Sequence, residues 1–266
     1  SLNLVQSVDG ENWSSVTTTL SGTKINSILW NGSQWLIGGE GTDTLAYSLD
    51  GITWASLSNS VFDSTVKNIS YDSKIPYMNI QHPVLACIQD STNTMAYSVD
   101  GVRWTGLGNS AFSEYGTSAF WNGYTWVAVG KGSNTIAYSL NMLDWTGLGS
   151  TLFSVEGVNV HYGGFTWVAV GSGVDHTIGY SYNGYKWTGL GNSIFSVKGN
   201  SCAYNGSLWV AVGEGAQHTI ATSPDGITWT GLSNTIFSVR GTCVIFTGTL
   251  WLATGSGTNT LAYSYD

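Results

Sequence analysis

The segment WVAVGKGSNTIAYSLNMLDWTGLGSTLFS begins at Trp126 and returns in close copies from Trp167, Trp209 and Trp251. A unit of this length cannot bury an apolar face by itself, so its copies must stack on one another, and the period of the repeat constrains the fold more than any single motif. A box reading S-x-D-G-x-x-W ends at Trp13, Trp54, Trp104 and Trp229, with weaker forms SLNMLDW and SYNGYKW ending at Trp145 and Trp187. These tryptophans are 41, 50, 41, 42 and 42 residues apart, which counts six units. The long interval contains KIPYMNIQHP, residues 74–83, an insertion in the second unit.

Each unit reads as four short strands. An alternating segment such as SCAYNG is followed by WVAVG, by NTIAYS and by a strand through the box Trp, with NG and DG marking tight turns. Four strands in roughly 40 to 45 residues is the signature of a propeller blade. The expectation is therefore an all-β, six-bladed β-propeller in one domain spanning residues 1–266, with four antiparallel strands per blade. The chain opens with LVQSVDGENW, the second half of a unit, and closes with LAYSYD, the matching earlier part. Joined in one blade, the two ends would close the ring and remove an exposed edge. Leu4–Ser7 and Leu261–Ser264 read as the same strand, and the sequence leaves open which of them takes that place.

Within the first strand, Trp30, Tyr71, Trp121, Tyr162, Tyr204 and Phe246 align as one set, expected to pack between blades. Ser27, Asn68, Ser118, Asn159, Ser201 and Cys243 fall on the opposite face by the period of two, and should line a narrow, uncharged channel.

Composition excludes several classes of function. Only 9% of residues are Asp, Glu, Lys or Arg, and 16 acidic against 8 basic residues give a net charge of -8, which argues against nucleic-acid partners. No run of 18 apolar residues or signal-peptide pattern occurs, so membrane insertion is not expected. Cys87, Cys202 and Cys243 show no C-x-x-C spacing and read as small buried residues.

The box resembles the Asp-box, or BNR, repeat of sialidase-type propellers, with a spacing one residue shorter. The resemblance implies that Asp9, Asp50, Asp100 and Asp225 hold the turn between the third and fourth strands. It also implies that Trp13, Trp54, Trp104, Trp145, Trp187 and Trp229 pack into the blades. It does not extend to sialidase catalysis, which needs three arginines on the substrate carboxylate, whereas this chain holds only Arg103 and Arg240. No carboxylate pair or metal-binding motif stands out, so no enzyme activity, cofactor or metal is expected.

Two recurrent elements fall on the rim opposite the boxes, where connecting loops carry binding. The connection TGLGNSxFS places Asn59, Asn109, Asn192 and Asn234 at one position. The hairpin before the third strand places Asn134, His176, His218 and Asn259 at another, matched by Asp43 and Asn93; these residue types tolerate turn geometry and also offer ligand contacts. His82 lies in the insertion, and His161 stands where other units carry Leu29, Phe120 or Ile245. Repeated neutral amides, hydroxyls and aromatics suit a multivalent, lectin-like module that binds glycans. The alternative is a structural or interaction protein contacting other proteins on a virion or cell surface, in an extracellular setting, and a glycosidase-like enzyme ranks third.

Overall fold

The computed structural model describes residues 4–7, 9, 12–16, 20–22, 24–57, 64–71, 83–90 and 92–266. Asn59, His82 and nearly all of the 74–83 insertion lie outside the described residues. The protein is a six-bladed β-propeller. Its first strands are Lys24–Trp30, Thr65–Tyr71, Tyr115–Trp121, Glu156–Tyr162, Lys198–Tyr204 and Arg240–Phe246. The second strands are Trp35–Glu40, Val84–Gln89, Trp126–Lys131, Trp167–Ser172, Trp209–Glu214 and Trp251–Ser256. The third strands are Leu45–Ser48, Met95–Ser98, Ile136–Ser139, Ile178–Ser181, Ile220–Ser223 and Leu261–Ser264. Five blades add an outer strand of two residues, at Ala55–Ser56, Thr105–Gly106, Thr146–Gly147, Thr188–Gly189 and Thr230–Gly231. Every blade is an antiparallel meander in chain order, and first strands of successive blades lie against one another around the axis.

The core lies between blades. The second strands are the most buried elements, because the WVAVG pattern is apolar on both faces and each face meets a sheet. Phe112, Phe153, Phe195 and Phe237, one in each connection into the next blade, are fully buried. The aromatic set of the first strands packs between blades as expected, Tyr71, Trp121, Tyr162, Tyr204 and Phe246 each lying against a core shared with the preceding blade, and it also pairs within its own blade. Trp30 lies opposite Trp35, Trp121 opposite Trp126, Tyr162 opposite Trp167 and Tyr204 opposite Trp209, with ring centroids 5.3, 5.4, 5.0 and 5.0 Å apart. Such cross-strand aromatic pairs are a main stabilising unit of a sheet.

Small polar residues tie the inner strands together. Ile69 N donates to Ser27 Oγ at 3.1 Å, Asn159 Nδ2 to Ser118 Oγ at 3.1 Å, Cys202 N to Asn159 Oδ1 at 3.0 Å and Val244 N to Ser201 Oγ at 3.2 Å. Each bond links neighbouring blades, so these side chains satisfy backbone groups that no ladder reaches.

The shared terminal blade is the expectation that the structure corrects. Arg240–Ser264 forms a three-stranded sheet, while Leu4–Gln6 and Ser14–Val16 form a separate two-stranded one. The register of that hairpin, Val5 opposite Ser15 and Gln6 opposite Ser14, matches Ala46 opposite Ser56 and Tyr47 opposite Ala55 in the first blade. Leu4–Gln6 therefore takes the place that Leu261–Ser264 was expected to share, because a strand joined by a short turn closes a far smaller loop than one from the other end of the chain. The consequence is a seam between the sixth and first blades. Ile28 is 51% exposed where Ile69, Ala119, Val160, Cys202 and Val244, its repeat equivalents, are buried. Across the seam Leu261 and Tyr263 are exposed as well.

His161 sits between blades, its ring 4.3 Å from Phe120 and 5.8 Å from Trp209, and its buried Nδ1 has no hydrogen-bond partner among the described residues. Burial pushes its pKa from 6.5 down to about 4. The unfolded chain then binds the extra proton between these values, so stability should fall as pH drops from 6.5 towards 4. Melting temperatures measured across that window should fall less for His161→Phe, which copies Phe120, than for the parent; equal slopes would show that His161 is not the titrating group.

Candidate functional site

The hairpin between second and third strands carries one polar residue per blade, and the structure gives it a common task. Gly108 N donates to Asn93 Oδ1 at 3.0 Å, Gly149 N to Asn134 Oδ1 at 2.9 Å, Gly191 N to His176 Nδ1 at 3.0 Å and Ser233 N to His218 Nδ1 at 2.9 Å. The imidazole nitrogen thus stands in for the amide oxygen, which places the ring proton on Nε2. Each clamp holds the outer strand where the chain leaves for the next blade. Asn134 also donates to Ala111 O and Asn259 to Ile236 O, both in the connection entering the blade.

The clamp explains the glycine of the outer strand. A Cβ on Gly189 would stand 2.2 Å from His176 Cδ2, and one on Gly231 would stand 2.3 Å from His218 Cδ2. Where the first blade has Ser56 in that strand, the clamp position is Asp43, which accepts from Ser56 Oγ and Ser21 N.

Of the connection asparagines, Asn192 Nδ2 donates to Val174 O at 3.1 Å and Asn234 Nδ2 to Ala216 O at 3.3 Å, bracing the same hairpins, and Asn109 is exposed at the equivalent place. The two predicted sets are therefore neighbours on one rim. Their polar ends are largely engaged with backbone.

The S-x-D-G-x-x-W turns lie at the opposite ends of the strands. Asp50 Oδ1 accepts from Ile52 N at 2.8 Å, Thr53 N at 2.6 Å and Ser48 Oγ at 2.9 Å. Those backbone donors, Thr53 first and then Ile52, lower its pKa to about 2. Asp100 and Asp225 make the same bonds, Asn141 and Asn183 replace them in the weaker boxes, and Asp9 accepts from Asn12 N at 2.7 Å. Trp54 and Trp104 are buried, Trp145, Trp187 and Trp229 are half-buried and Trp13 is exposed.

Trp187 matters because it faces a groove between blades. Between the third and fourth blades a cavity of about 280 Å3 is walled by Leu148, Thr151, Leu152, His176, Tyr185 and Trp187. Trp187 Nε1 donates to Gly184 O at 2.9 Å, which satisfies the polar edge of the indole. Tyr185 is half-exposed and lies 5.6 Å from the Tyr138 ring. At the next interface Leu190, Ile194 and Trp229 pack as Leu148, Leu152 and Trp187 do here, with His218 at the place of His176. His176 was legible as a candidate, whereas Trp187 read only as packing and Tyr185, whose counterparts are Leu143 and Ile227, gave no repeated signal. Among the described residues no group of three or more His, Cys, Asp and Glu is placed to hold a metal ion, and no helix is long and apolar enough to cross a membrane.

Gly189→Ala should lower stability by about 1–3 kcal/mol through overpacking against the imidazole, and His176→Ala made in the same chain should recover part of that loss. Additive effects in a denaturant double-mutant cycle would show that the two do not touch.

No family model matches the chain, and neither does any curated protein. Solved structures do. YCF48 bound to D1 peptide superposes with a TM-score of 0.66 at 16% identity, over 97% of this chain and 83% of that one. The computationally designed Ika8 protein gives 0.64 at 14% identity, over 94% and 74%. A structural genomics protein of unknown function from Bacteroides thetaiotaomicron gives 0.57 at 10% identity, over 92% and 70%. At these identities the likeness is one of fold.

Proposed function

We propose that the protein is a non-catalytic, multivalent binding module that takes neutral saccharides in the grooves between its blades, at an exterior surface. The observation that carries this reading is the cavity between the third and fourth blades. Its volume is near the lower end of small-molecule sites, about 300–1,000 Å3, and it joins an indole and a phenol to an imidazole and a hydroxyl. Apolar sugar faces stack on such rings while sugar hydroxyls meet the polar groups. The repeat of Leu, Ile or Leu, His or Asn, and Trp at successive interfaces supplies further sites of the same kind, and weak single contacts gain from that number.

Calorimetric titration with saccharides selected on a glycan array should give more than one site per chain. Tyr185→Ala should weaken the tightest of them and leave the others. Absence of any saccharide binding, or a single site abolished by Tyr185→Ala, would overturn the multivalent reading.

A second reading, as a surface protein that contacts other proteins, is supported by the opposite rim. There Leu49, Val99, Leu140 and Tyr182, each in a box, and Tyr265 in the closing LAYSYD are 58 to 71% exposed, and Tyr124 and Phe165 in neighbouring turns more so. Apolar side chains gathered on one face mark contact surfaces, and the YCF48 structure of similar fold has a peptide bound. Replacing Leu140, Tyr182 and Phe165 by Ser should abolish partner capture under this reading while leaving saccharide binding intact.

A further inference from the structure

The channel was expected to be uncharged, yet one mouth of it gathers most of the cations of the chain. Of eight Lys and Arg residues, Lys24, Lys67, Lys131, Lys198 and Arg240 stand at the same end of the first and second strands. Each first strand bulges beside that end, and the bulge residues are Asn26, Lys67, Thr117, Val158, Asn200 and Thr242. Asn26, Thr117 and Asn200 reach backbone carbonyls of the following blade, at Val66, Gly157 and Gly241. This set is therefore directed from blade to blade around the axis. Lys67 is its one charged member.

The surroundings of Lys67 are already paired with one another. Tyr115 Oη donates to Glu156 Oε2 at 2.8 Å, Lys198 Nζ donates to the other oxygen of Glu156, and Lys131 pairs with Glu114 at 2.9 Å. Lys67 Nζ stands 5.5 Å from the centroid of the Tyr115 ring. No ion pair of Lys67 with a carboxylate occurs among the described residues. Burial lowers its pKa, outweighing the opposing pull of the Glu40 and Glu156 charges. The Tyr115 ring that Lys67 approaches also walls an open groove of about 600 Å3, lined further by Ser64, Gln89, Asp90, Thr92, Ser113 and Glu114.

We propose that this mouth is a second binding site, which takes the C-terminal carboxylate of an extended peptide on Lys67 and the peptide's N–H groups along Gln89, Asp90 and Glu114. A carboxylate supplies the charge that Lys67 lacks, and Tyr115 backs the ammonium from its other side. Asp90 and Glu114 farther out accept hydrogen bonds, as the N–H donors of an extended peptide require, and the glucuronate arm of the test separates a peptide from an acidic sugar. This site shares no residue with the groove at Tyr185 and Trp187, and it survives or fails independently of saccharide binding there.

The test uses N-acetyl-trialanine as the free acid, its C-terminal amide, and glucuronate, each titrated by calorimetry. The free acid should bind at least tenfold more tightly than the amide. Lys67→Gln should remove that preference and Lys67→Arg should keep it, with circular dichroism melts confirming that both variants fold. No binding of the acid, equal binding of acid and amide, or a preference that persists in Lys67→Gln would overturn the proposal. Glucuronate binding that depends on Lys67 while the peptide acid does not bind would overturn the peptide assignment.

Discussion

Everything in this molecule depends on how one blade meets the next. No blade contains its own core, since the second strand presents apolar side chains on both faces and each face is covered by a neighbouring sheet. The clamp from Asn93, Asn134, His176 or His218 to the outer strand fixes where the chain departs for the following blade. The buried Phe of each connection and the polar bonds between inner strands fix how it arrives. Because these contacts are local, any groove they leave recurs at the same angle and with nearly the same walls.

The seam follows from the same locality. Blades that recognise only their neighbours do not measure how many have been assembled, so closure is decided at the chain ends. There the short loop of the N-terminal hairpin wins over pairing with Leu261–Ser264. The exposed Ile28 and Tyr263 mark the two faces that would otherwise be covered.

Much of the fold was legible because turn residues and the Trp period are written six times in the chain. The register of the first strand could be counted, but Ser27, Ser118, Asn159 and Ser201 were read only as channel lining, and their bonds between inner strands came from the structure. What could not be read were features carried by one copy. Lys67 and Glu156 break the repeat at single positions, and both reach Tyr115 only because the second, third and fourth blades stand side by side. Likewise Tyr185 aligns with aliphatic residues elsewhere, and only the structure shows it beside Trp187 and Tyr138. The His and Asn of the hairpins were recognised as one position, but whether they faced a ligand or the backbone rested on where the outer strand runs. That depends on a glycine, Gly189 or Gly231, that sequence reads simply as a weak strand former.

The two proposed modes of recognition use different parts of one frame, the grooves of the perimeter and the charged mouth on the axis. Both presume that blade-to-blade contacts alone specify the architecture. The most direct measurement is to duplicate residues 146–187 in tandem, adding one complete unit, and to solve the structure of the longer chain while following its unfolding. Nearest-neighbour assembly across an open seam predicts seven blades, seated in the repeating geometry, and one cooperative melt within about 4 °C of the parent, the shift that 1 kcal/mol causes in chains of this size. Expulsion of the added unit as unstructured chain, or loss of cooperative folding, would contradict it.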